Sequence, residues 1–328
     1  MKKRNGRPPV KNSIQATLVQ VARLYYDENL SQQEIADRLG VSRSLIAQYL
    51  QRARAAGIVR IRIVALDSAC SGLATALGEA TGVSKITVVP TPHGAPELAF
   101  RAVASAAADF LSESLKDGDT LGLGWGRTTS VAADFLKPPQ ASGVAVLPLM
   151  GESGHSGMHS QMNQLVMRAA ERLRATPHFL SLPMVVSTPE LRDALVREVG
   201  VRDVTELWDR VNLACVGVGV VPPVPGMVVY IGDEHLPRLT AAGAVGDICG
   251  IYFNREGAVI ESGLEDRIIA AGVDQLRAID CLTAVACGPD KAAAVLGALR
   301  TGLVDATFID QALAEQILAG LHAAKRPQ

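Results

Sequence analysis

Residues Ser31–Ala56 read SQQEIADRLGVSRSLIAQYLQRARAA, and this stretch decides how the N-terminal part of the chain folds. Ser31 is placed to cap a helix, and Glu34 three residues on completes a capping box of the S-x-x-E form. Ile35, Ala36 and Leu39 give that helix one apolar stripe, and Gly40-Val41 makes a turn. Ser42 then caps a second helix. In the second helix Ile46, Tyr49, Leu50 and Ala53 recur at i, i+3, i+4 and i+7, the spacing of a single buried face. Arg43, Ser44, Ala47, Gln48, Gln51 and Arg52 are left on the outside. Arg pairs with guanine edges and Gln with adenine edges, and the first turns of such a helix approach the bases in helix-turn-helix proteins. The alternative is an ordinary helical hairpin with a solvated face.

Outward from this motif, Ser13–Glu28 carries Ile14, Leu18, Val21, Ala22 and Tyr25 on one stripe and is expected to pack behind the two helices. Residues 1–12, MKKRNGRPPVKN, hold five basic residues and no periodicity, which predicts a flexible arm. Its Asn5-Gly6-Arg7-Pro8 suits an Arg entering a narrow minor groove, or a tail that adds only non-specific attraction. After Gly57 the apolar period becomes two, with Val59, Ile61 and Ile63 facing one way. Ile58–Val64 is therefore expected to be the wing of a winged helix-turn-helix. Arg60 and Arg62 on it either contact phosphate or keep an edge strand soluble.

Charge separates the two ends of the chain. Residues 1–66 contain twelve Lys/Arg and four Asp/Glu, a net of +8, whereas the other 262 of the 328 residues have a net of −9. A basic head that meets phosphates and an acidic body that does not is the simplest account. No apolar run approaches the roughly 18 residues of a membrane span, and the charged N-terminus lacks the apolar core of a secretory signal. A cytoplasmic protein is expected. The five cysteines have no C-x-x-C spacing and fall mostly in or beside apolar runs, so buried reduced thiols are expected rather than disulfides or zinc.

From Lys85 onward apolar strands alternate with helices, which predicts an α/β domain with a mainly parallel, Rossmann-like sheet covered on both faces. The expected strands include Thr120–Gly124, Val144–Met150, Phe179–Leu182, Leu213–Val218, Asp247–Phe253, Leu282–Ala286 and Ala306–Ile309. Ligands of such sheets gather beyond the carboxyl ends of strands, at helix N-termini. Three junctions stand out. In Gly122-Leu-Gly-Trp-Gly-Arg-Thr-Thr129, Gly124 and Gly126 allow close backbone approach beside Trp125. Arg127 supplies charge there, and Thr128 and Thr129 supply hydroxyls at a helix start, so an anion site or merely a tight turn results. It has neither the G-K-[ST] of a Walker loop nor the G-x-G-x-x-G of a dinucleotide turn. In Cys287-Gly-Pro-Asp-Lys291, Asp290 is a candidate N-cap and Lys291 sits where a cation opposes the helix dipole unless it meets an anion. Gly246-Asp247, at the head of DICGIYF, offers a carboxylate for sugar hydroxyls or a plain turn residue. The polar loop Gly151–Asn163 adds Gln161, Asn163, His155 and His159, without the Cys or carboxylate spacing of a metal site.

Taken in order, Leu30-Ser-Gln-Gln-Glu-Ile-Ala-Asp-Arg-Leu-Gly-Val-Ser-Arg43, Ala55-Ala-Gly-Ile-Val59, Gly124-Trp-Gly-Arg-Thr128, Val216-Gly-Val-Gly219, Gly243-Ala-Val-Gly-Asp-Ile248 and Lys291 make the chain resemble the SorC family of bacterial sugar-responsive transcription regulators. The resemblance spans about residues 13–320. It implies a C-terminal domain related in fold to glucosamine-6-phosphate deaminases and ribose-phosphate isomerases, without their catalysis, that binds a sugar phosphate or similar metabolite. It further implies that the turn at Gly126–Thr129 holds phosphate or hydroxyls, that Asp247 and Lys291 line the same pocket, and that the protein is a homodimer or homotetramer. Two departures are visible: Ala47-Gln48 replaces a Ser-Arg common on the family's recognition helix, and only one glycine of a frequent pair precedes Lys291. A free sugar or polyol therefore stays open beside a sugar phosphate.

The expected organisation is an arm over 1–12, a DNA-binding head over 13–66 and an effector-binding, oligomerising body over 67–328. The expected partners are double-stranded operator DNA and a carbohydrate-derived effector, with no cofactor, no metal and no membrane. A sugar-phosphate isomerase or deaminase carrying a DNA-binding head is the competing class, with Asp247 the evident general base or acid.

Overall fold

The computed structural model describes residues 11–26, 28, 30–56, 58–59, 68–91, 94, 96–152, 161–222 and 235–324. It divides into two compact units, Met1–Leu66 and Asp67–Gln328. The N-terminal unit is built from α1 (Lys11–Tyr26), α2 (Gln32–Leu39) and α3 (Arg43–Ala55). Ser31 and Glu34 form the reciprocal capping box: the Ser31 N–H donates to Glu34 Oε2 at 2.7 Å and the Glu34 N–H to Ser31 Oγ at 3.3 Å. Gly40 ends α2 at φ +65°, a conformation that suits glycine, and Ser42 Oγ accepts from the Leu45 N–H at 3.3 Å to start α3. The stripes close into two adjoining clusters, Val21, Ile35, Ala36, Ile46 and Leu50 in one and Leu18, Ala22 and Ala53 in the other, all buried. Ile14, Tyr25 and Tyr49 are half-buried at their edges.

Most of the expected wing, with Arg60 and Arg62, lies outside the described residues, as do residues 1–10 of the arm expected over 1–12; its last two residues, Lys11 and Asn12, instead begin α1. Ile58 and Val59, the described part, do not extend a ladder: both N–H groups turn back to Ala53 O and close the end of α3.

The C-terminal unit opens with α4 (Ser68–Thr81) and carries a seven-stranded, wholly parallel sheet. Its strands in chain order are β1 (Lys85–Val89), β2 (Thr120–Leu123), β3 (Ala145–Pro148), β4 (Thr176–Pro177), β5 (Leu213–Gly217), β10 (Cys281–Ala286) and β11 (Ala306–Asp310), and in space they run β1-β11-β10-β5-β2-β3-β4. Every residue of β2 and β11 is buried, as a strand covered on both faces requires. One helical layer holds α5 (Pro96–Ser114), α6 (Arg127–Phe135) and α7 (Met162–Leu173), and another holds α4 with the helices Ala292–Arg300 and Gln311–Ala324. The chain returns from the β4 edge to place β5 between β2 and β10. The carboxyl ends of β2, β5 and β10 therefore share one crevice.

Several expected elements resolve differently. Asp247–Phe253 is not one strand but a hairpin within a second, antiparallel sheet. That sheet consists of β6 (Gly219–Val220), β7 (Ala244–Ile248), β8 (Ile251–Asn254) and β9 (Val259–Ile260). Cys249 and Gly250 form its two-residue turn at φ +52° and +81°, the paired left-handed geometry that matches strand twist. Phe179–Leu182 is not a strand either, because the Asn163 amide takes the place of a ladder partner. Asn163 Oδ1 accepts from the Leu180 N–H at 3.0 Å and Nδ2 donates to Leu180 O at 3.3 Å. Between β4 and β5 the chain forms α8 (Pro189–Arg197), α9 (Val199–Thr205) and a 3-10 turn at Glu206–Arg210. The five cysteines are free thiols, four of them buried. Among the described residues no helix is long and apolar enough to cross a membrane.

Candidate functional site

In the N-terminal unit the capped α2–turn–α3 hairpin fixes which face of α3 is outward. Arg43, Ser44, Ala47, Gln48, Gln51 and Arg52 are all exposed, opposite buried Ile46, Leu50 and Ala53. They form two adjacent rows, Arg43-Ala47-Gln51 and Ser44-Gln48-Arg52, each stepping by four residues along the helix. The Ser44 hydroxyl lies 3.0 Å from that of Ser42, which ties the second row to the cap. Ala47 places a small exposed side chain between the longer Arg43 and Gln51 of its row.

In the C-terminal unit the glycine turn after β2 is held backbone to backbone against the end of β5. The Gly124 N–H donates to Cys215 O at 2.9 Å, and the Gly217 N–H to Trp125 O at 3.0 Å. A Cβ on Gly217 would lie 2.4 Å from Trp125 O, so the two segments touch only because that side chain is missing. Gly126, at φ +154°, is the N-cap of α6, and among the described residues the helix start has no side-chain cap and no acidic residue in its first turn. Uncapped N–H groups at a helix start favour an anion. Arg127 is exposed beside them with its guanidinium 3.7 Å from the centroid of the Phe100 ring, while Thr128 and Thr129 are buried. The Thr129 hydroxyl is buried beside the Cys215 thiol and has no nitrogen or oxygen partner among the described residues. Trp125 is half-buried against the core.

The antiparallel hairpin brings Asp247 to this turn. Cys249 Sγ would lie 2.9 Å from a Cβ on Gly124, so the hairpin tip covers the end of β2. Asp247 faces Gly219 across the ladder, and a Cβ there would fall 1.9 Å from Asp247 Oδ1. Asp247 Oδ2 accepts from the Gly250 N–H at 3.1 Å. Burial raises the Asp247 carboxyl above the ordinary carboxylate range, against the opposing effects of that hydrogen bond and of Lys291. Gly246 serves packing: its Cβ would meet Gly219 O at 2.6 Å and the Ala294 methyl at 2.7 Å.

Lys291 completes the group from the end of β10. The expected helix start at Asp290 is instead a 3-10 turn, Pro289–Lys291, before the helix Ala292–Arg300, and Asp290 caps neither element. Lys291 Nζ donates to Val218 O at 2.6 Å, which points it into the crevice between β5 and β10. Burial lowers its pKa, Asp290 and Asp247 oppose that shift, and nearby Arg127 reinforces it. Two cations and one carboxylate thus converge on an uncapped helix start.

Gln161 and Asn163 stand at the start of α7, where no local pattern marks their partners. The Glu152 carboxylate caps this helix, accepting from the Met162 N–H at 2.7 Å and the Asn163 N–H at 2.9 Å. The Asn163 side chain is committed to Leu180 and, at 3.2 Å, to Ser181 Oγ. His155 and His159 lie outside the described residues. Asp310, buried at the end of β11, was also missed. Its Oδ1 accepts from the Gly288 N–H at 2.8 Å and so fixes the loop that carries Lys291. The only signal for either carboxylate is an acid terminating an apolar run.

Comparison with known proteins matches residues 68–319 to the family Sugar-bind, a sugar-binding domain, and residues 23–56 to sigma-70 region 4. The chain belongs to the SorC family of sugar-binding transcriptional regulators. It is 30% identical over 307 residues to the deoxyribonucleoside regulator of Bacillus subtilis, covering 92% of this chain and 97% of that protein. It is 26% identical to the sorbitol operon regulator of Klebsiella pneumoniae, covering 92% and 97%. The crystal structure of the full-length sorbitol operon regulator SorC aligns with a TM-score of 0.79 at 25% identity, over 95% of this chain and 100% of that one. Like this SorC-type architecture, the chain pairs N-terminal helix-turn-helix helices with a mostly parallel α/β domain.

Proposed function

We propose that this chain is a DNA-binding transcriptional regulator of carbohydrate catabolism genes that responds to a sugar, polyol or sugar phosphate. The observation that carries the effector reading is the convergence of the uncapped α6 start, Arg127, Asp247 and Lys291 on the carboxyl ends of β2, β5 and β10. An anionic group of the effector would sit on the α6 N–H groups between Arg127 and Lys291. Asp247, a hydrogen-bond acceptor when ionised and a donor when protonated, would take its hydroxyls. Gln161 would reach it from the start of α7, while Asn163 and Glu152 keep that helix start in place.

Its relatives include a deoxyribonucleoside regulator, a sorbitol operon regulator and an erythritol catabolism regulatory protein, which supports a polyhydroxylated effector. On the DNA side Arg43, Ser44, Gln48 and Gln51 would face base edges, with Arg52, Arg60 and Arg62 on phosphates. The heads of a homodimer or homotetramer in the cytoplasm would bind two half-sites. The effector shifts DNA affinity only by binding two arrangements of the protein unequally.

A second reading, turnover, is favoured by one observation: a carboxylic acid with a raised pKa beside a lysine with a lowered one suits proton transfer. One experiment separates the two. Sugars, polyols and their phosphates are screened by thermal shift, and hits are added to a mobility-shift assay on the gene's upstream DNA. The regulator reading expects a compound that stabilises the protein, alters the shift and is recovered unchanged. Steady conversion of that compound, abolished by Asp247→Asn, would establish an enzyme.

A further inference from the structure

A cavity of about 890 Å³ opens between α8, the 3-10 turn Glu206–Arg210 and the segment 265–275, which runs into the helix Val273–Ala278. It shares no lining residue with the Arg127–Asp247–Lys291 group. Its size falls in the roughly 300–1,000 Å³ range of sites for small organic ligands. The floor is apolar, formed by Val196, Ile251, Ile268 and the ring of Trp208. Trp208 is held rigidly, because its Nε1–H donates to Pro148 O at 2.8 Å.

The polar groups at the mouth are unequal. Each acid there already has a partner: Glu206 pairs with Arg202, Asp209 accepts from Gln275 Nε2, and Glu265 accepts from the Ser262 and Gly263 N–H groups. Arg192 bridges the rim, donating from Nε to Ile268 O at 3.4 Å and from Nη1 to Asp193 at 3.1 Å. Arg197 is exposed and makes no ion pair among the described residues. The cavity therefore offers an apolar bed with one cation in reserve at its edge.

We propose that this cavity is a second small-molecule site, taking an amphipathic anion. The apolar body lies on Val196, Ile268 and Trp208, and the carboxylate, sulfonate or phosphate lies on Arg197. The Cys249-Gly250 turn forms part of the wall, and its Gly250 N–H is the donor to Asp247, so an occupant would touch the back of the turn that sets that carboxylate.

The test uses the full chain carrying Trp125→Phe, which leaves Trp208 as the sole tryptophan, and 8-anilinonaphthalene-1-sulfonate as the probe. Dye emission should rise and Trp208 emission fall, saturating at one dye per chain. Arg197→Glu, on an exposed position that does not threaten folding, should weaken binding about tenfold or more. Val196→Phe should fill the bed and abolish binding at an unchanged melting temperature, and Lys291→Ala should leave it intact. The proposal is overturned if Lys291→Ala weakens the dye as much as Arg197→Glu does, or if Arg197→Glu has no effect. It is likewise overturned if the Trp208 quench disappears as the protein self-associates, since a second copy then fills the cavity. None of these readouts depends on an effector response, so failure here leaves the proposed regulator untouched.

Discussion

Gly217→Ala is the sharpest probe of how the proposed effector turn after β2 is built. The added methyl would sit 2.4 Å from Trp125 O and 3.0 Å from Gly126 Cα, both backbone atoms. An ordinary carbon–oxygen contact is about 3.3 Å, so the two segments must part by about 1 Å. Gly217 is not in the left-handed region, so the cost is steric rather than conformational. Overpacking of this kind costs about 1–3 kcal/mol, which in a domain of this size lowers the melting temperature by about 2–12 °C. The same 1 Å moves the α6 start away from a bound anion and should weaken the effector about tenfold or more, the worth of a charge-assisted hydrogen bond. Gly72→Ala is the matched control. It lies in α4 with nothing within 4 Å of its Cβ position, and a helical Gly→Ala should stabilise by about 0.5–1 kcal/mol. Differential scanning fluorimetry reads the first effect and titration of the screened effector reads the second. An unchanged melting temperature and effector affinity in Gly217→Ala would refute the packing argument, as would equal effects in both variants.

Asp247→Asn should remove the effector response yet raise the melting temperature near neutral pH. The folded carboxyl has a raised pKa, so the native state binds more protons than the unfolded one between the ordinary carboxylate range and the raised value. Wild-type stability should therefore fall through that window as pH rises, and the advantage of the Asn variant should vanish in acid; a pH series of melts checks this. Gln48→Ala should reorder operator preference by about 1–3 kcal/mol at one base pair in a selection assay, and an equal loss on every sequence would show that Gln48 reads no base. Ser31→Ala removes the side-chain half of the capping box and should cost about 1 kcal/mol of helix stability. By circular dichroism the first melting transition should move down, and DNA affinity should drop for all sequences alike.

The elements readable from sequence were those whose signals are local. The Ser31/Glu34 box, the Gly40 turn and the stripe of α3 lie within a few residues of one another, and each was found in place. The parallel strands were legible because burial on both faces leaves continuous apolar runs such as Leu213–Gly217 and Cys281–Ala286. The β7–β8 hairpin was hidden by the same apolar continuity. Its turn is Cys249-Gly250 rather than the Asn-Gly or Asp-Gly that normally marks two positive φ values, so DICGIYF looked like one strand. At the site, Asp247, Lys291 and the Gly126 turn were named from sequence, but their meeting depends on strand order, which no local pattern encodes. Glu152 and Asp310 escaped notice because the N–H groups they hold are 10 and 22 residues away.

The most direct test of the whole account is a reciprocal titration. Fluorescence anisotropy of a labelled upstream duplex is followed with and without the effector found by screening, and effector affinity is measured with and without the duplex. The account predicts that each ligand changes the affinity for the other by the same factor. It further predicts that Lys291→Ala cancels both changes while leaving basal DNA affinity intact. Effector binding that leaves the duplex affinity unaltered, or a Lys291→Ala chain that still couples the two, would contradict it.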